Sequence, residues 1–352
     1  MSSIKSIHFR EVVRPLRITF STSLGKKDVM QSVIVKTTLD SGFSGFGECP
    51  TSFSLKQETI PRIKEILAEA AQLFLDTPVA GHEVKIKELR KKYHQNPMTI
   101  SGLEVALFRA YLADKGQSEY DYWGSTGKNL KTDITIPFLT DILFLNRWIG
   151  HVVSTGFSVF KLKVSGDVEA DKTYVSHVYE KLKNETGKFT IRLDGNQGYT
   201  EKSFFRFVDF LVKKDYKIEL FEQPLPKTDY TGLKKIKKRS PMPVILDETV
   251  FTAQDLMRSI QEELGHGANI KIAKSGISES GDIFSMAKAH GFRLMIGCMT
   301  ETMTGLSAGI YFALGTGGFD YIDLDAVHFL HHKNRYGDIR IEGPRYTLAH
   351  SS

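Results

Sequence analysis

The chain has 352 residues, which is long for one ordinary compact domain and suits a barrel of roughly 250 residues with a smaller partner domain. Hydrophobic residues make up 41% and charged residues 25%, a composition that excludes a disordered chain and predicts a soluble globular protein. The N-terminus lacks a signal-peptide pattern and no apolar run approaches the roughly 20 residues of a membrane span, so we expect neither export nor membrane insertion.

The cysteines and the basic residues indicate the compartment and the partners. Cys49 and Cys298 are far apart in the sequence and suit free buried thiols better than a disulfide framework, which predicts a reducing, cytoplasmic setting. The net charge of +6 is spread along the chain and says little about partners. The densest basic run, residues 234–239, lies between two apolar strand-like segments, so we interpret it as the solvated face of an outer helix and expect no nucleic-acid partner. The oligomeric state stays open, a homo-oligomer included.

The first 125 residues predict an α+β domain. Residues 32–38 are rich in β-branched side chains and are followed by a turn signal at 40–42 that leads into Gly45-Phe46-Gly47-Glu48, which is typical of an antiparallel hairpin. Helical stretches follow around residues 60–75 and 101–115. This part of the chain indicates no chemistry by itself.

From about Ile134 onward, short apolar strands alternate with helical segments, which is the signature of repeated βα units around a parallel sheet. Eight strands are predicted, ending near Phe138, Lys163, Asp194, Glu222, Asp247, Lys271, Gly297 and Asp323. We therefore predict a (β/α)-barrel over residues 126–326, followed by a C-terminal segment, residues 327–352, that returns toward the N-terminal domain. An open doubly wound sheet is disfavoured, because no glycine-rich dinucleotide loop follows any of the strands.

Three successive predicted strands end in a carboxylate, namely Asp194, Glu222 and Asp247. In a barrel, the side chains at the C-terminal ends of the strands meet at one end, which we call the mouth. Three carboxylates there would repel each other unless a cation neutralised them, and a hard, oxygen-ligated ion such as Mg²⁺ suits such a set. The alternative is that each carboxylate only caps the helix that follows it.

Lysines end the strands on either side of this acidic trio. Lys161 and Lys163 share one face of their strand because side chains alternate, and Lys271 ends the strand after Asp247. A lysine whose pKa is lowered by burial and neighbouring cations can act as a base near neutral pH. The alternative is that the lysines only balance the carboxylates.

A cation between opposed lysines suits a substrate that carries a carboxylate. The proton α to a carboxylate is very weakly acidic, so its removal requires stabilisation of the enolate that results. Sites that pair a lysine with Mg²⁺ do this. A base on each face of the α-carbon would take the proton from one side and return it on the other, so the pattern indicates epimerisation or racemisation.

Five motifs together resemble the muconate-lactonizing subgroup of the enolase superfamily along nearly the whole chain. They are Lys161-Leu162-Lys163, Asp194-Gly195-Asn196-Gln197, Glu222-Gln223-Pro224, Asp247-Glu248 and Asn269-Ile270-Lys271. The resemblance implies that Asp194, Glu222 and Asp247 bind Mg²⁺, that Lys163 and Lys271 are the acid/base pair, and that Lys161 helps to hold the substrate carboxylate. It also implies that residues 1–125 form a capping domain whose loops, around 20–28 and 49–55, close over the substrate.

The last predicted strand discriminates within the subgroup. Asp323 and Asp325 resemble the Asp-x-Asp motif of dipeptide epimerases, and two carboxylates on one strand face are a good receptor for an ammonium group. A dipeptide with a free amine is therefore the expected substrate. The alternatives within the superfamily are a cycloisomerase or an o-succinylbenzoate synthase, whose substrates have no such amine. A barrel that serves only as a metal-binding or scaffold protein is disfavoured by the intact Lys163 and Lys271.

Some positions depart from the family pattern. Gly195 and Tyr199 stand where relatives usually have Ala and Trp, and the turn after Lys274 is one residue shorter. Alanyl-glutamate epimerases of the family place an Arg in the capping loop just after a Leu, whereas Leu24 is followed here by Gly25. We therefore expect a dipeptide with a small or apolar C-terminal residue, with alanyl-glutamate left open because Lys26 or Lys27 could replace the missing Arg.

Overall fold

The structure, a computed structural model, describes residues 2–332 and 334–349. It begins with an antiparallel sheet of three strands in the order β1-β2-β3, with β1 at Ile4–Thr22, β2 at Gly25–Leu39 and β3 at Ser44–Pro50. Strands β2 and β3 form the hairpin that the sequence predicts, with Thr38 opposite Ser44 next to the turn. The turn between β1 and β2 falls at residues 23–24, inside the first predicted capping loop.

Four helices complete the N-terminal part: α1 at Ile60–Phe74, α2 at His82–Lys92, α3 at Pro97–Asp114 and the short α4 at Glu119–Tyr122. Helix α3 packs unusually close to β3, because Gly47 and Gly102 face each other there. A Cβ atom on Gly47 would lie 1.9 Å from the carbonyl oxygen of Gly102. Almost every residue of α3 is buried, since one side covers the sheet and the other contacts the barrel.

The barrel begins after the short strand β4 at Asn129–Lys131. Its eight parallel strands are β5 Ile134–Ile136, β6 Val159–Lys163, β7 Thr190–Asp194, β8 Ile218–Glu222, β9 Val244–Leu246, β10 Gly267–Ile270, β11 Arg293–Gly297 and β12 Tyr321–Asp323. The helices between them are α5 Ile142–Ser154, α6 Val168–Glu185, α7 Glu201–Lys213, α8 Tyr230–Arg239, α9 Ala253–Gln261, α10 Ile272–Ala289 and α11 Met303–Thr316. The strand order follows the chain, and the predicted fold class is confirmed.

The first and last strands meet through a few contacts. The backbone N–H of Asp133 donates to the carbonyl of Ile322, and that of Leu324 donates to the hydroxyl of Thr132. Inside the ring, buried side chains from β8, β9, β11 and β12 fill the axis: Leu220, Ile245, Met295 and Tyr321. The barrel is therefore a packed core, and its open space lies at the mouth.

Polar side chains fix where the outer helices begin. Asp167, Thr200 and Thr252 each cap a helix by accepting hydrogen bonds from backbone N–H groups of its first turn. The basic run 234–239 lies in α8, where Lys234 and Lys237 are near Glu263.

After β12 comes a 3₁₀ helix at Ala326–Phe329, then β13 at Ile339–Glu342 and β14 at Arg345–Leu348. Strand β14 pairs with β13 and with β4, and Leu330 bridges to Leu16 of β1. The domain bounds at 125 and 326 stay a prediction. In the part of the chain that the structure describes, no helix is both long and apolar enough to cross a bilayer.

Candidate active site

The eight residues predicted for the site lie around the mouth. Lys161 and Lys163 are on β6, and Asp194 and Glu222 end β7 and β8. Asp247 directly follows β9, Lys271 directly follows β10, and Asp323 ends β12 with Asp325 two residues on. All eight are buried. Six of them line one cavity: Lys161, Lys163, Asp247, Lys271, Asp323 and Asp325.

The order of the strands sets the geometry of the mouth. Strands β6 and β10 are the second and sixth of eight, so they lie on opposite sides of the ring and bring Lys163 and Lys271 across from each other. The strands β7, β8 and β9 lie between them on one arc. The other arc contains β12 with Asp323. The site thus has two amines facing across the mouth, an acidic trio on one side and an acidic pair on the other.

Ion pairs join the lysines of β6 to both acidic sets. The ammonium of Lys163 donates to Oδ2 of Asp194. The ammonium of Lys161 donates to Oδ2 of Asp323 and lies 3.4 Å from Oε2 of Glu222. Lys161 therefore connects the two arcs of carboxylates.

Two lysines meet on Asp247. Lys271 Nζ donates to Oδ2 at 2.6 Å, while Lys274 Nζ donates to Oδ1 at 2.7 Å and to the backbone carbonyl of Asp247 at 2.6 Å. Burial raises the pKa of Asp247, but the two ammonium groups outweigh it and hold that pKa well below its usual range. Burial lowers the pKa of Lys271, and Asp247 and Glu222 reverse the effect, so the pKa is raised. The lowered lysine pKa expected from the sequence is not found for Lys271, because Asp247 lies at hydrogen-bond distance.

A second cluster of carboxylates lies on the β12 side. Oxygens of Asp133, Asp323 and Asp325 are within 4.8 Å of one another, whereas Asp194, Glu222 and Asp247 do not form such a group. Burial and then Asp323 raise the pKa values of Asp133 and Asp325. Asp133 pairs with Arg192, and Asp325 accepts the N–H of Thr135 at 2.7 Å. These partners already bind one oxygen of each carboxylate.

Four buried polar residues near the mouth are not among the predicted site residues: Asp133, Asn196, Glu248 and Lys274. The sequence offered a reason to include three of them. Asn196 and Glu248 belong to two of the five family motifs, and Lys274 lies one helical turn after Lys271. For Asp133, nothing in the sequence distinguishes it from any polar residue that precedes a strand. Its place beneath Asp323 follows from the closure of the barrel.

The donor set on the β7–β9 arc fits a hard cation. Apart from Asp133, which pairs with Arg192, the mouth holds six buried carboxyl groups, of Asp194, Glu222, Asp247, Glu248, Asp323 and Asp325, against four buried ammonium groups, of Lys161, Lys163, Lys271 and Lys274. Burial, and then Asp247 and Asp194, raise the pKa of Glu248 to about 8. Oε2 of Glu248 and Oδ1 of Asn196 are buried without a hydrogen-bond partner. Oxygens without enough positive partners are what Mg²⁺ binds.

The N-terminal domain covers the mouth. Phe20, Thr22, Leu24 and Lys27 of the β1–β2 hairpin line the cavity, as do residues 51–55 after β3. The ring of Phe20 lies 5.6 Å from Nζ of Lys163. Both loop regions expected from the resemblance therefore contribute residues to the cavity wall.

One lysine of the N-terminal domain, Lys27, lies in the wall of the cavity. Lys27 lines the cavity with its ammonium 5.7 Å from the centre of the Phe53 ring. Burial lowers the pKa of Lys27 to about 8. Within residues 2–332 and 334–349, its ammonium has no hydrogen-bond or ion-pair partner.

Fold and site together define a (β/α)-barrel protein whose mouth, lined by lysines and carboxylates, is covered by an N-terminal domain. Residues 146–351 match the family described as enolase C-terminal domain-like. The chain belongs to this family, and the predicted resemblance is confirmed.

Relatives along nearly the whole chain are dipeptide epimerases, which are isomerases. The chain is 30% identical to the L-Ala-D/L-Glu epimerase of Thermotoga maritima over 95% of its own length and 94% of that protein. It is also 30% identical to a hydrophobic dipeptide epimerase of Citrifermentans bemidjiense, over 90% and 87%. A crystal structure of the dipeptide epimerase from Enterococcus faecalis, complexed with Mg and the dipeptide L-Leu-L-Tyr, superposes with a TM-score of 0.89 at 27% identity, covering 98% of this chain and 97% of that one.

Proposed function

We propose that the protein is a Mg²⁺-dependent dipeptide epimerase that inverts the α-carbon of the C-terminal residue by proton transfer between two lysines. The observation that carries the proposal is the position of Lys163 and Lys271 at the ends of the second and sixth strands of the ring. An α-carbon held between them presents one face to each ammonium nitrogen. One lysine removes the proton and the other returns a proton to the opposite face.

Asp194, Glu222 and Asp247 are the residues that would hold Mg²⁺ in this proposal. The bound ion supplies positive charge that stabilises the negative charge developing on the substrate carboxylate as the α-proton leaves. Lys161 is buried beside Glu222 and adds a fixed positive charge at the same place. The unpartnered oxygens of Glu248 and Asn196 next to this trio support the assignment.

Asp323 and Asp325 would bind the ammonium of the dipeptide from the opposite arc. Oδ1 of Asp323 is buried without a hydrogen-bond partner, so it is open to a cation that enters the cavity. A dipeptide whose carboxylate faces the β7–β9 arc and whose ammonium faces β12 would lie across the mouth. Its C-terminal α-carbon would then lie between the lysines. A cycloisomerase or a succinylbenzoate synthase substrate would bring no ammonium group to these two carboxylates.

Residues of the cavity wall bear on which side chain the C-terminal residue of the substrate carries. Gly25 after Leu24 and the apolar cavity residues Phe20 and Phe53 support a small or apolar C-terminal residue. Lys27 supports an acidic one, because a half-buried ammonium without a carboxylate partner is unfavourable unless a ligand brings the anion. Between the two lysines that the sequence left open, Lys27 lines the cavity and Lys26 is exposed.

A reducing, cytoplasmic setting is part of the proposal. It is supported by the two cysteines, which are both free.

A dipeptide library incubated with the protein and Mg²⁺ in D₂O tests this function. We expect deuterium at the α-carbon of the C-terminal residue and conversion between the two stereoisomers. The double variant Lys163→Ala/Lys271→Ala is the matched control, since it retains the fold's other charged groups. Incorporation at the N-terminal residue only, or equal incorporation by the double variant, would contradict the proposal.

A further inference from the structure

Glu104 is a fully buried carboxylate of α3 whose hydrogen bonds reach from the N-terminal domain into the barrel. It accepts the backbone N–H of Ile277 at 3.2 Å and that of Ser278 at 3.0 Å, and also the hydroxyl of Ser278 at 2.6 Å. Arg90, from α2, donates to its Oε2 at 2.6 Å. Glu104 therefore caps a helix that lies 173 residues further along the chain.

The helix that Glu104 caps is the second part of α10. Gly276 interrupts α10 with φ 75° and ψ −169°, so Lys271 to Ser275 form a separate first turn and a new helix starts at Ile277. A Cβ on Gly276 would lie 2.0 Å from both Oε2 of Glu104 and Nη2 of Arg90. The backbone of this shortened turn thus fits directly against the carboxylate.

The first turn links Glu104 to Lys271. The N–H groups of Lys274 and Ser275 both donate to the carbonyl of Lys271, at 2.9 and 3.0 Å. On the barrel side, Lys274 Nζ donates hydrogen bonds to Asp247, and these hold the same turn. Its other end is held two and three residues beyond Ser275, where Glu104 accepts the N–H groups of Ile277 and Ser278. The backbone that carries Lys271 is therefore fixed from both ends.

We propose that Glu104 is a positioning residue that sets the place of Lys271, and thereby the rate of proton transfer on one face of the substrate. The proposal rests on the proposed two-base function. Lys163 is on β6, across the ring, and has no such connection to Glu104. Lys163 meets the N-terminal domain through the ring of Phe20 instead, so Glu104 adjusts one base and leaves the other unchanged.

Exchange of the α-proton in D₂O, measured separately for the two stereoisomers of the C-terminal residue, tests this inference on the full chain with Mg²⁺. Glu104→Gln keeps the shape but places an amide donor opposite N–H groups or Arg90, so the first turn of α10 should shift. A misplacement of about 1 Å can cost about a hundredfold in rate. We expect exchange of one isomer to fall at least tenfold more than exchange of the other.

Glu48→Gln is the matched control. Glu48 is also a buried carboxylate of the N-terminal domain that caps a barrel helix, because it accepts the N–H groups of Thr302 and Gly305 at the start of α11. Its hydrogen bonds go to Ser32 and to the start of α11, and none reaches the turn that carries Lys271, so the ratio of the two exchange rates should stay within twofold to threefold of wild type. A loss of stability alone would change both rates together in either variant.

Gly276→Ala provides a second test that leaves Glu104 intact, and it decides the matter if Glu104→Gln does not fold. This variant should change the α-proton exchange rate of the same stereoisomer that Glu104→Gln affects, because the added methyl group displaces the turn from the carboxylate. Equal slowing of both isomers in the folded variants, or unchanged rates, would overturn the inference. A wild-type protein that exchanges no α-proton would instead contradict the proposed function.

Discussion

The ammonium of Lys271 lies 2.6 Å from Oδ2 of Asp247, so a proposed base and a proposed metal ligand form a direct ion pair across neighbouring strand ends. This pair raises the pKa of the lysine and lowers that of the carboxylic acid, burial notwithstanding. A lysine that accepts a proton must spend time neutral, which the pairing opposes. A cation at the carboxylate would compete with this ion pair and so favour the neutral form of Lys271.

Removal of divalent ions should therefore abolish epimerisation, and Mg²⁺ should restore it. The reason is twofold: the developing negative charge loses its stabilisation, and Asp247 is left to hold Lys271 protonated. Turnover of a dipeptide, followed by polarimetry before and after EDTA, measures the effect. Full activity after exhaustive chelation would remove the metal from the proposal.

Single variants of the two lysines should show that each lysine serves a different face of the α-carbon. Lys163→Ala and Lys271→Ala should each stop epimerisation, since inversion needs both faces. Each variant should still exchange the α-proton of one stereoisomer through the remaining base, and the two variants should differ in which isomer exchanges. Proton NMR in D₂O reports this directly. The two-base assignment is wrong if both variants exchange both isomers at the wild-type rate.

The barrel and the eight proposed site residues followed from the sequence because strand ends in a repeated βα pattern converge by necessity. Predicted strand ends agree with the structure to within two residues, as for Phe138 against Ile136 at the end of β5. The link from Glu104 to Ile277 could not be predicted, since a buried glutamate in a helix gives no sign of a partner 173 residues away. The pairing of Lys274 with Asp247 likewise depends on how the short turn closes.

Asp323 and Asp325 should affect substrate binding more than the chemical step. Loss of one partner of a buried charged pair commonly costs ~2–5 kcal/mol, so Asp323→Asn or Asp325→Asn should lower kcat/KM for a free dipeptide at least tenfold. An N-acetylated dipeptide lacks the cation and should be a poor substrate for wild type. Both variants should discriminate less between the free and the acetylated forms. Equal wild-type turnover of the two forms would contradict an ammonium receptor here.

Lys27 should favour an acidic substrate side chain only while it is charged. Since the pKa of Lys27 is lowered to about 8, its charge is present below pH 8 and is lost as the pH rises above it. The ratio of kcat/KM for alanyl-glutamate to that for alanyl-leucine should therefore fall between pH 7 and 9.5. Using a ratio cancels the titration of groups that serve both substrates.

Lys27→Met should lower that ratio about tenfold at pH 7 and make it independent of pH, because a charge-assisted hydrogen bond contributes ~1.5–3 kcal/mol. The control is Lys26→Met, which removes the exposed neighbouring charge outside the cavity wall. An unchanged ratio in Lys27→Met would leave the apolar substrate class as the better choice.

Glu301 should make stability depend on pH. It is buried in the loop after β11, where it accepts the N–H of Met299 at 3.1 Å. Burial, and then the nearby Glu48, raise the pKa of Glu301 to about 8 from an ordinary 4.5. Between these values the folded chain keeps a proton that the unfolded chain has released. The free energy of unfolding should thus fall as the pH rises through this window, by at most ~1.4 kcal/mol per pH unit from this one group.

Glu301→Gln should remove this dependence, because the amide stays neutral and its oxygen can still accept the N–H of Met299. We expect the variant to match wild type near pH 5 and to unfold at a higher urea concentration than wild type at pH 8. Glu262→Gln, which changes an exposed carboxylate at the end of α9, serves as the control and should leave the difference between pH 5 and pH 8 unchanged. If Glu301→Gln is no more stable than wild type at pH 8, then Glu301 is already ionised there without cost, and its burial beside Glu48 does not raise its pKa.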